Sequence, residues 1–197
     1  MALRQGQLPI FIIILLALVF SSFKAIGVQN YEFVLYIGVI VFFFVLIYFT
    51  NEKTKLSNGV LWGLAVWALL HLSGGLLVVN GSVLYKFVLI NIFENSNFII
   101  LRFDQFVHFF GFFIATFLCY DLIKPHLGGE LTLKISFLIF LMSVGLGSIN
   151  EVIEFMAVLI MPETGVGGYY NTLWDLVFNS LGSLLAILWI NFHKSLA

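Results

Sequence analysis

The sequence predicts an all-α integral membrane protein, a bundle of about six transmembrane helices with both termini cytoplasmic. Three observations carry this. Hydrophobic residues make up 61% of the 197 and charged residues 10%, with a mean hydropathy of +1.09, where a soluble domain would carry about 25% charge. The apolar residues fall into six runs, each near the roughly 20 residues that cross about 30 Å of hydrocarbon. The nine Lys and Arg are divided unevenly between alternate breaks. A net charge of -1 without a basic patch offers no field for nucleic acid, so the expected partner is the lipid bilayer.

Residues 1–197 read as a single transmembrane domain, its spans expected at about 8–27, 33–49, 60–79, 102–123, 131–161 and 173–192. The first follows Arg4 and is not followed by an Ala-x-Ala motif, so it is expected to stay as a helix rather than be cleaved as a signal peptide. The breaks Gly27–Asn30, Asn51–Gly59, Pro125–Glu130 and Pro162–Asn171 carry turn-forming residues. Gly81–Ile100 is a semi-apolar connector expected to lie along the membrane interface. The fifth run is too long for one crossing, so it should tilt, kink near Gly145 and Gly147, or start outside the bilayer at Lys134. Cys119, the single cysteine, sits in an apolar run and reads as a packing residue.

Orientation follows from the cations. With the N-terminus inside, Arg4, Lys53, Lys55, Lys124, Lys134 and Lys194 are cytoplasmic, while Lys24, Lys86 and Arg102 are outside.

Against this apolar background stand His71, Asp104, His108, Glu151, Glu154 and Asp175. An ionisable group at a helix centre costs about 2.5–3.5 kcal/mol on insertion scales, so such groups are rarely kept without a role. At 1.5 Å per residue His108 and Glu154 lie about 10 Å inside the outer boundary, His71 and Glu151 roughly 14 Å, and Asp104 and Asp175 within about a turn of it. All six therefore fall in one half of the membrane, which predicts a shared outward-facing cavity. Asp104, His108, Gly111 and Ala115 form one helical stripe, and Asp175, Asn179, Gly182 and Ala186 repeat its spacing. Small residues beside the polar ones let helices approach and shield ionisable groups from lipid.

Asp104 with His108, and Glu151 with Glu154, are one-turn pairs of metal-ligating types. With His71 and Asp175 they suffice for one divalent metal ion, as facing helices provide in bundles. The alternatives are a metal-free functional site and a hydrogen-bonded cluster that only joins helices. Asn179 and Arg102 are the expected ligand-binding neighbours; Arg102 otherwise reads as an interfacial cation. Trp62, Trp67, Trp174 and Trp189 read as belt or packing residues, His126 and His193 as solvated ends, and Gly165–Gly168 as a flexible loop. Neither a Gly-x-Ser-x-Gly elbow nor His-Glu-x-x-His occurs. A phosphate substrate would need a metal or a cationic partner, because only Arg102 and Lys86 are outward candidates.

The stretch Phe103-Asp104-Gln105-Phe106-Val107-His108-Phe109 with Gly111 resembles the Asp-x-x-x-His-Phe-x-x-Gly pattern of YjdF-type bacterial inner-membrane proteins. His71-Leu72-Ser73-Gly74, Glu151-Val152-Ile153-Glu154 and Trp174-Asp175 to Gly182 resemble its other elements, in order, over residues 60–190. Where that family carries an aspartate before the Trp-Asp pair, this chain has Asn171, which removes an acidic loop ligand. Asp175, Asn179 and Gly182 are also similar to the Asp-x-x-x-Asn-x-x-Gly helix of VanZ-like proteins. These resemblances imply a bacterial plasma-membrane location, and the second a cell-envelope role; neither implies a mechanism.

Three functions follow as expectations. The first is recognition of a lipid or envelope precursor at the outer leaflet. The second is a metal-dependent hydrolase or transferase on a lipid-linked substrate, with Glu154 or Glu151 as general base and His108 as ligand or acid. The third is a proton-linked transporter, disfavoured because the inner halves of the last four spans are nearly bare of ionisable groups.

Overall fold

The computed structural model describes residues 3–94, 99–128, 131–161, 164–165 and 168–195. Parts of the connector (95–98) and of two expected turns (129–130, 162–163 and 166–167) lie outside the described residues. Six helices form: α1 Leu8–Gly27, α2 Tyr31–Thr54, α3 Asn58–Leu76, α4 Phe103–Ile123, α5 Leu133–Ile160 and α6 Tyr169–Ser195. All six are long and apolar enough to cross a membrane. The chain is an integral membrane protein.

Local chemistry sets the helix starts. Pro9 lies in the first turn of α1, where its missing N–H costs nothing. The side chains of Asn30, Ser57 and Thr132 accept from Phe33 N at 3.0 Å, Val60 N at 3.3 Å and Ile135 N at 3.4 Å, capping α2, α3 and α5. α4 is fastened differently. Gln105 Oε1 accepts from the backbone of Leu101 at 2.8 Å and Arg102 at 3.1 Å, holding Leu101 at a φ of 74° that a leucine rarely adopts.

The connector, whose fold the sequence left open, is built of strands. Among the described residues it forms two antiparallel hairpins, β1 Val78–Val79 with β2 Ser82–Val83 and β3 Val88–Glu94 with β4 Ile99–Arg102. Asn80 and Gly81 both take positive φ, 52° and 80°, as a tight two-residue hairpin turn requires. The third span accordingly ends at Leu76 rather than 79, because its last expected residues pair as a strand, and Arg102 belongs to β4 rather than to the helix. α6 begins at Tyr169, ahead of the expected 173, and α2 runs from Tyr31 to Thr54, beyond both expected ends. α5 passes unbroken through Gly145 and Gly147.

Exposed leucine, isoleucine, valine and phenylalanine side chains cover the outside of the bundle, including Phe20, Phe23, Phe42, Leu159 and Leu188, as contact with lipid tails demands. Inside, Ile10, Ile14, Leu18, Phe33, Ile37 and Leu72 fill a core between the first helices, and small residues let the later helices approach. α4 and α6 pack most closely of all: a Cβ at Gly182 would meet the Phe109 carbonyl oxygen. A Cβ at Gly111 would lie 2.5 Å from Trp67 Nε1, and one at Gly147 3.0 Å from Asn179 Nδ2. One turn deeper, Thr116 Oγ1 stands 2.9 Å from Ser143 Oγ and Ser143 Oγ 2.8 Å from Ser183 Oγ. These three hydroxyls, with the Phe112 carbonyl 2.7 Å from Thr116, join α4, α5 and α6. Cys119 is buried against Ile139 and Ile187, a packing position.

The two ends of the bundle differ. At one, Arg4 reaches the carbonyl of Leu56, the Gln7 and Asn51 amides pair at 2.7 Å, and Asp121 accepts from Ser57 N at 2.8 Å. At the other, the starts of α2, α4 and α6 and the ends of α3 and α5 converge on a polar cavity. Successive helices thus run in opposite directions, and α4 and α6 are parallel.

Candidate functional site

The cavity holds about 130 Å³ and is bordered by His71, Tyr85, Asp104, His108, Glu154 and Asn171, with Lys86 and Arg102 among its other walls. Its floor is organised by His108, which is buried on α4. Nδ1 of this imidazole is 3.1 Å from Asn179 Oδ1 on α6. With the amide oxygen presented, Nδ1 carries the proton and donates it, so the Nε2 lone pair points elsewhere. Around Nε2 stand Asp104 Oδ1 at 3.7 Å, Glu154 Oε1 at 3.9 Å and Asp175 Oδ2 at 4.0 Å. Glu151 Oε1 is 3.7 Å from Nδ1. Four carboxylates from three helices surround one ring, and none is at hydrogen-bonding distance from it.

Two groups reach ligand spacing among the described residues: Asp104, His108 and Asp175, and His108, Glu151 and Glu154, with the donor atoms of each group within 4.8 Å of one another. The deepest members keep carboxylate oxygens without a donor. Both Glu151 carboxylate oxygens and Asp175 Oδ1 make no hydrogen bond, and their side chains are 7% and 0% exposed. Asp104 and Glu154, at 19% and 16%, face the cavity instead. Glu154 Oε1 accepts from Asn150 Nδ2 at 3.0 Å.

His71 borders the cavity from α3 but stands in an aromatic setting. Its Nδ1 is 2.7 Å from the Tyr85 hydroxyl, which donates at 3.0 Å to the carbonyl of His71. Phe33 stacks on it at 5.8 Å, Trp67 lies tilted at 5.4 Å and Tyr36 stands edge-on at 5.9 Å. Burial holds the Tyr85 phenol well above its ordinary range, so it stays a donor. The imidazole is thereby clamped by one partner and three rings, outside both ligand-spaced groups.

The family enters on this constellation, in which α4 supplies Asp and His, α5 two Glu and α6 Asp and Asn. A family model described as "Predicted membrane protein (DUF2238)" matches residues 7–195. The chain belongs to the DUF2238 family. The match spans all six helices, and the YjdF-type resemblance fits it. No curated protein and no solved structure matches the chain.

Within this DUF2238 member, several residues that the sequence did not single out, or marked only as a missing acidic ligand, shape the cavity. Asn171 is one: lying in the first turn of α6, it donates to Asp104 Oδ2 at 3.3 Å and to Asp175 Oδ2, bridging two acids where an aspartate would add a further negative charge. Its spacing of four from Asp175 was the available signal. Tyr85 and Asn150 are others, the first hidden in the connector. Glu32, which accepts from Gly165 N, is a fourth neighbour, fastening the start of α2 to the segment before α6. His126 and His193 are exposed at the opposite end, as expected of solvated residues.

Proposed function

We propose that the cavity is a membrane-embedded metal centre that hydrolyses a phosphate-bearing headgroup, one divalent cation sitting between His108 Nε2 and the carboxylates. The observation that carries this is the spacing around His108. Carboxylates that shared protons with one another or with the imidazole would close to about 2.5–3.0 Å. Two ligands each about 2.1 Å from one ion stand roughly 3.0–4.2 Å apart, and the contacts to Nε2 span 3.7–4.0 Å. Buried carboxylate oxygens without a donor, both of Glu151 and Oδ1 of Asp175, are the second support, since a buried charge is tolerated only when paired or coordinated.

The donor set, one imidazole and carboxylates, suits manganese, iron or zinc rather than a thiolate-seeking ion. His108 Nε2, Asp104 and Asp175 are the assigned ligands, one of the two ligand-spaced groups. Asn179 fixes the imidazole through Nδ1, as the partner of a ligating histidine does. The side towards the cavity stays open, the mark of a catalytic rather than a structural site. Such an ion supplies Lewis-acid polarisation and an acidified water. Glu154, facing the cavity with Asn150 on its Oε1, takes the proton as the water oxygen attacks phosphorus. The P–O ester bond breaks, and the leaving alkoxide recovers the proton from Glu154. Lys86 and Arg102 on the cavity walls are the anion-binding cations that such a substrate needs.

Six of the nine cations lie on the N-terminal side of the expected spans, which supports a cavity open to the outside and both termini in the cytoplasm. The VanZ-like pattern of Asp175, Asn179 and Gly182 supports a place in the bacterial envelope.

Elemental analysis of detergent-purified protein, with chromatography of the headgroup and lipid fragments released in phospholipid vesicles, tests the reading. Near-stoichiometric metal is expected in the wild type and in Glu154→Gln, with release lost in Glu154→Gln and both lost in His108→Ala. No bound metal in folded wild type after metal is added back would overturn it.

A further inference from the structure

Beneath the polar cavity, away from the membrane boundary, lies a second space. It is an apolar groove of about 220 Å³, walled on one side by Val39, Phe43 and Ile47 of α2 and on the other by Leu146, Ile149 and Ile153 of α5. α2 packs on α1 and α3, and α5 on α4 and α6, so the groove separates two halves of the bundle. Its rim residues Phe43 and Ile149 are 44% and 55% exposed, which leaves it open sideways to the bilayer.

The two spaces are stacked in register on four helices. On α2, Tyr36 borders the cavity and Ile40 the groove; on α3, His71 and Trp67; on α4, His108 and Gly111; on α5, Glu154 and Asn150. Each groove residue lies one helical turn deeper than its cavity neighbour, about 5 Å. Trp67 and Asn150 join the levels, the indole 5.4 Å from the His71 ring and the Asn150 amide 3.0 Å from Glu154. Val39 to Ile47 covers roughly 12 Å of depth along α2, wholly within hydrocarbon.

A site with ionisable ligands and two cations above, and a dry slot open to lipid below, has the shape of an amphiphile. We infer that the groove between α2 and α5 binds the hydrocarbon chain of an anionic membrane phospholipid, which enters sideways from the bilayer with its phosphate headgroup in the cavity beside Lys86 and Arg102. The inference deepens the metal-centre reading by naming the substrate class, and rests on it for the reaction and for offsetting the cavity's acids. Lys86 and Arg102 are the partners for the phosphate oxygens, and the proposed divalent cation offsets the acids Glu32, Asp104 and Glu154 on the same walls. Three small side chains, Ala65, Ala68 and Ala115, keep the slot clear.

Native mass spectrometry of wild type, Ala115→Phe and Lys86→Gln tests it. Each is reconstituted in vesicles of equal parts phosphatidylglycerol and phosphatidylcholine, then re-extracted in mild detergent. The wild type should retain one phosphatidylglycerol per chain. Ala115→Phe, which fills the slot, should lose it roughly tenfold while keeping its metal, and Lys86→Gln should lose the preference for phosphatidylglycerol over phosphatidylcholine. Equal retention by wild type and Ala115→Phe would mean lipid held only around the outside of the bundle, and would overturn the proposal. Should Ala115→Phe unfold, Ala68→Phe and brominated-chain phosphatidylglycerol quenching of Trp67, left as the sole tryptophan, give the same decision. Retained lipid without metal would sink the metal centre and leave the groove standing; metal without retained lipid would do the reverse.

Discussion

The contact between α4 and α6 at Gly182 offers a sharp test of how the site is held. Replacing Gly182 by alanine puts a methyl group onto the Phe109 carbonyl oxygen, with Phe113 N 3.0 Å away. Both obstacles are backbone, so no side chain can swing aside and the helices must separate. Overpacking of this kind costs about 1–3 kcal/mol, and the upper part of that range applies when backbone has to move. The same change returns about 1 kcal/mol of helix propensity, leaving a net loss of roughly 2 kcal/mol, or about 4–8 °C in melting temperature for a chain of this size. Gly145 on α5 is the internal control: nothing lies within 4 Å of the position its Cβ would take, so Gly145→Ala should be neutral or stabilising by up to about 1 kcal/mol. Thermal unfolding in one detergent, followed by intrinsic fluorescence, measures both. The site should respond as well, because separating α4 from α6 lengthens the 3.1 Å contact between His108 and Asn179, and metal retention should fall with stability. If Gly182→Ala matches Gly145→Ala in both readouts, the close approach of α4 and α6 does not position His108, and the argument fails.

Three other outcomes are expected. Asn179→Leu should weaken metal affinity by about 10–100-fold, the usual cost of removing the group that orients a ligating histidine; titration with a fluorescent chelator measures it, and an unchanged affinity would remove Asn179 from the site. Tyr85→Phe should destabilise the fold by about 1–2 kcal/mol by freeing buried groups of His71. Because the folded protein holds the Tyr85 proton longer than the unfolded chain, its contribution should be lost as pH rises above about 10, so denaturation curves of wild type and variant should converge there. With Cys119 replaced by alanine, an impermeant thiol reagent on intact cells should label Lys86→Cys and not Lys53→Cys; the opposite pattern would turn the cavity towards the cytoplasm.

Hydropathy and charge were enough to read six helices, because a span needs length and apolar composition whatever its neighbours do. The acid and histidine residues were legible too, since each breaks an apolar run, and the structure gathers them at one end of the bundle. The connector was not. Its segments are too short and mixed for a period-two pattern to stand out, although Asn80-Gly81 is a hairpin turn signal that could have been used. His71 shows a different limit. Its depth placed it near the acids, but what engages it, Tyr85, comes from that unread connector and meets it only through tertiary contact. Spacing along a helix says which residues share a face; it does not say which neighbour the face meets. The groove is invisible in sequence for the same reason, since its two walls come from helices far apart in the chain.

The bundle contains its own standard for judging the cluster around His108. The same three helices, about 10 Å deeper, carry Thr116, Ser143 and Ser183, whose hydroxyls sit 2.8–2.9 Å apart and close on a backbone carbonyl. That is how this fold satisfies polar groups whose task is to join helices. Around His108, by contrast, acids stand 3.7–4.0 Å from the ring, and both oxygens of Glu151 are left without a donor. Structural glue in hydrocarbon would be expected to close its contacts, because each unsatisfied group costs about 1–3 kcal/mol or more. The opening is therefore informative. If a cation is its cause, removing the cation should destabilise the outer ends of α4, α5 and α6 while leaving the hydroxyl network intact. Hydrogen exchange with and without chelator would then show loss of protection near Glu151 and Asp175 but not near Ser143; equal protection in both states would return the cluster to the status of glue.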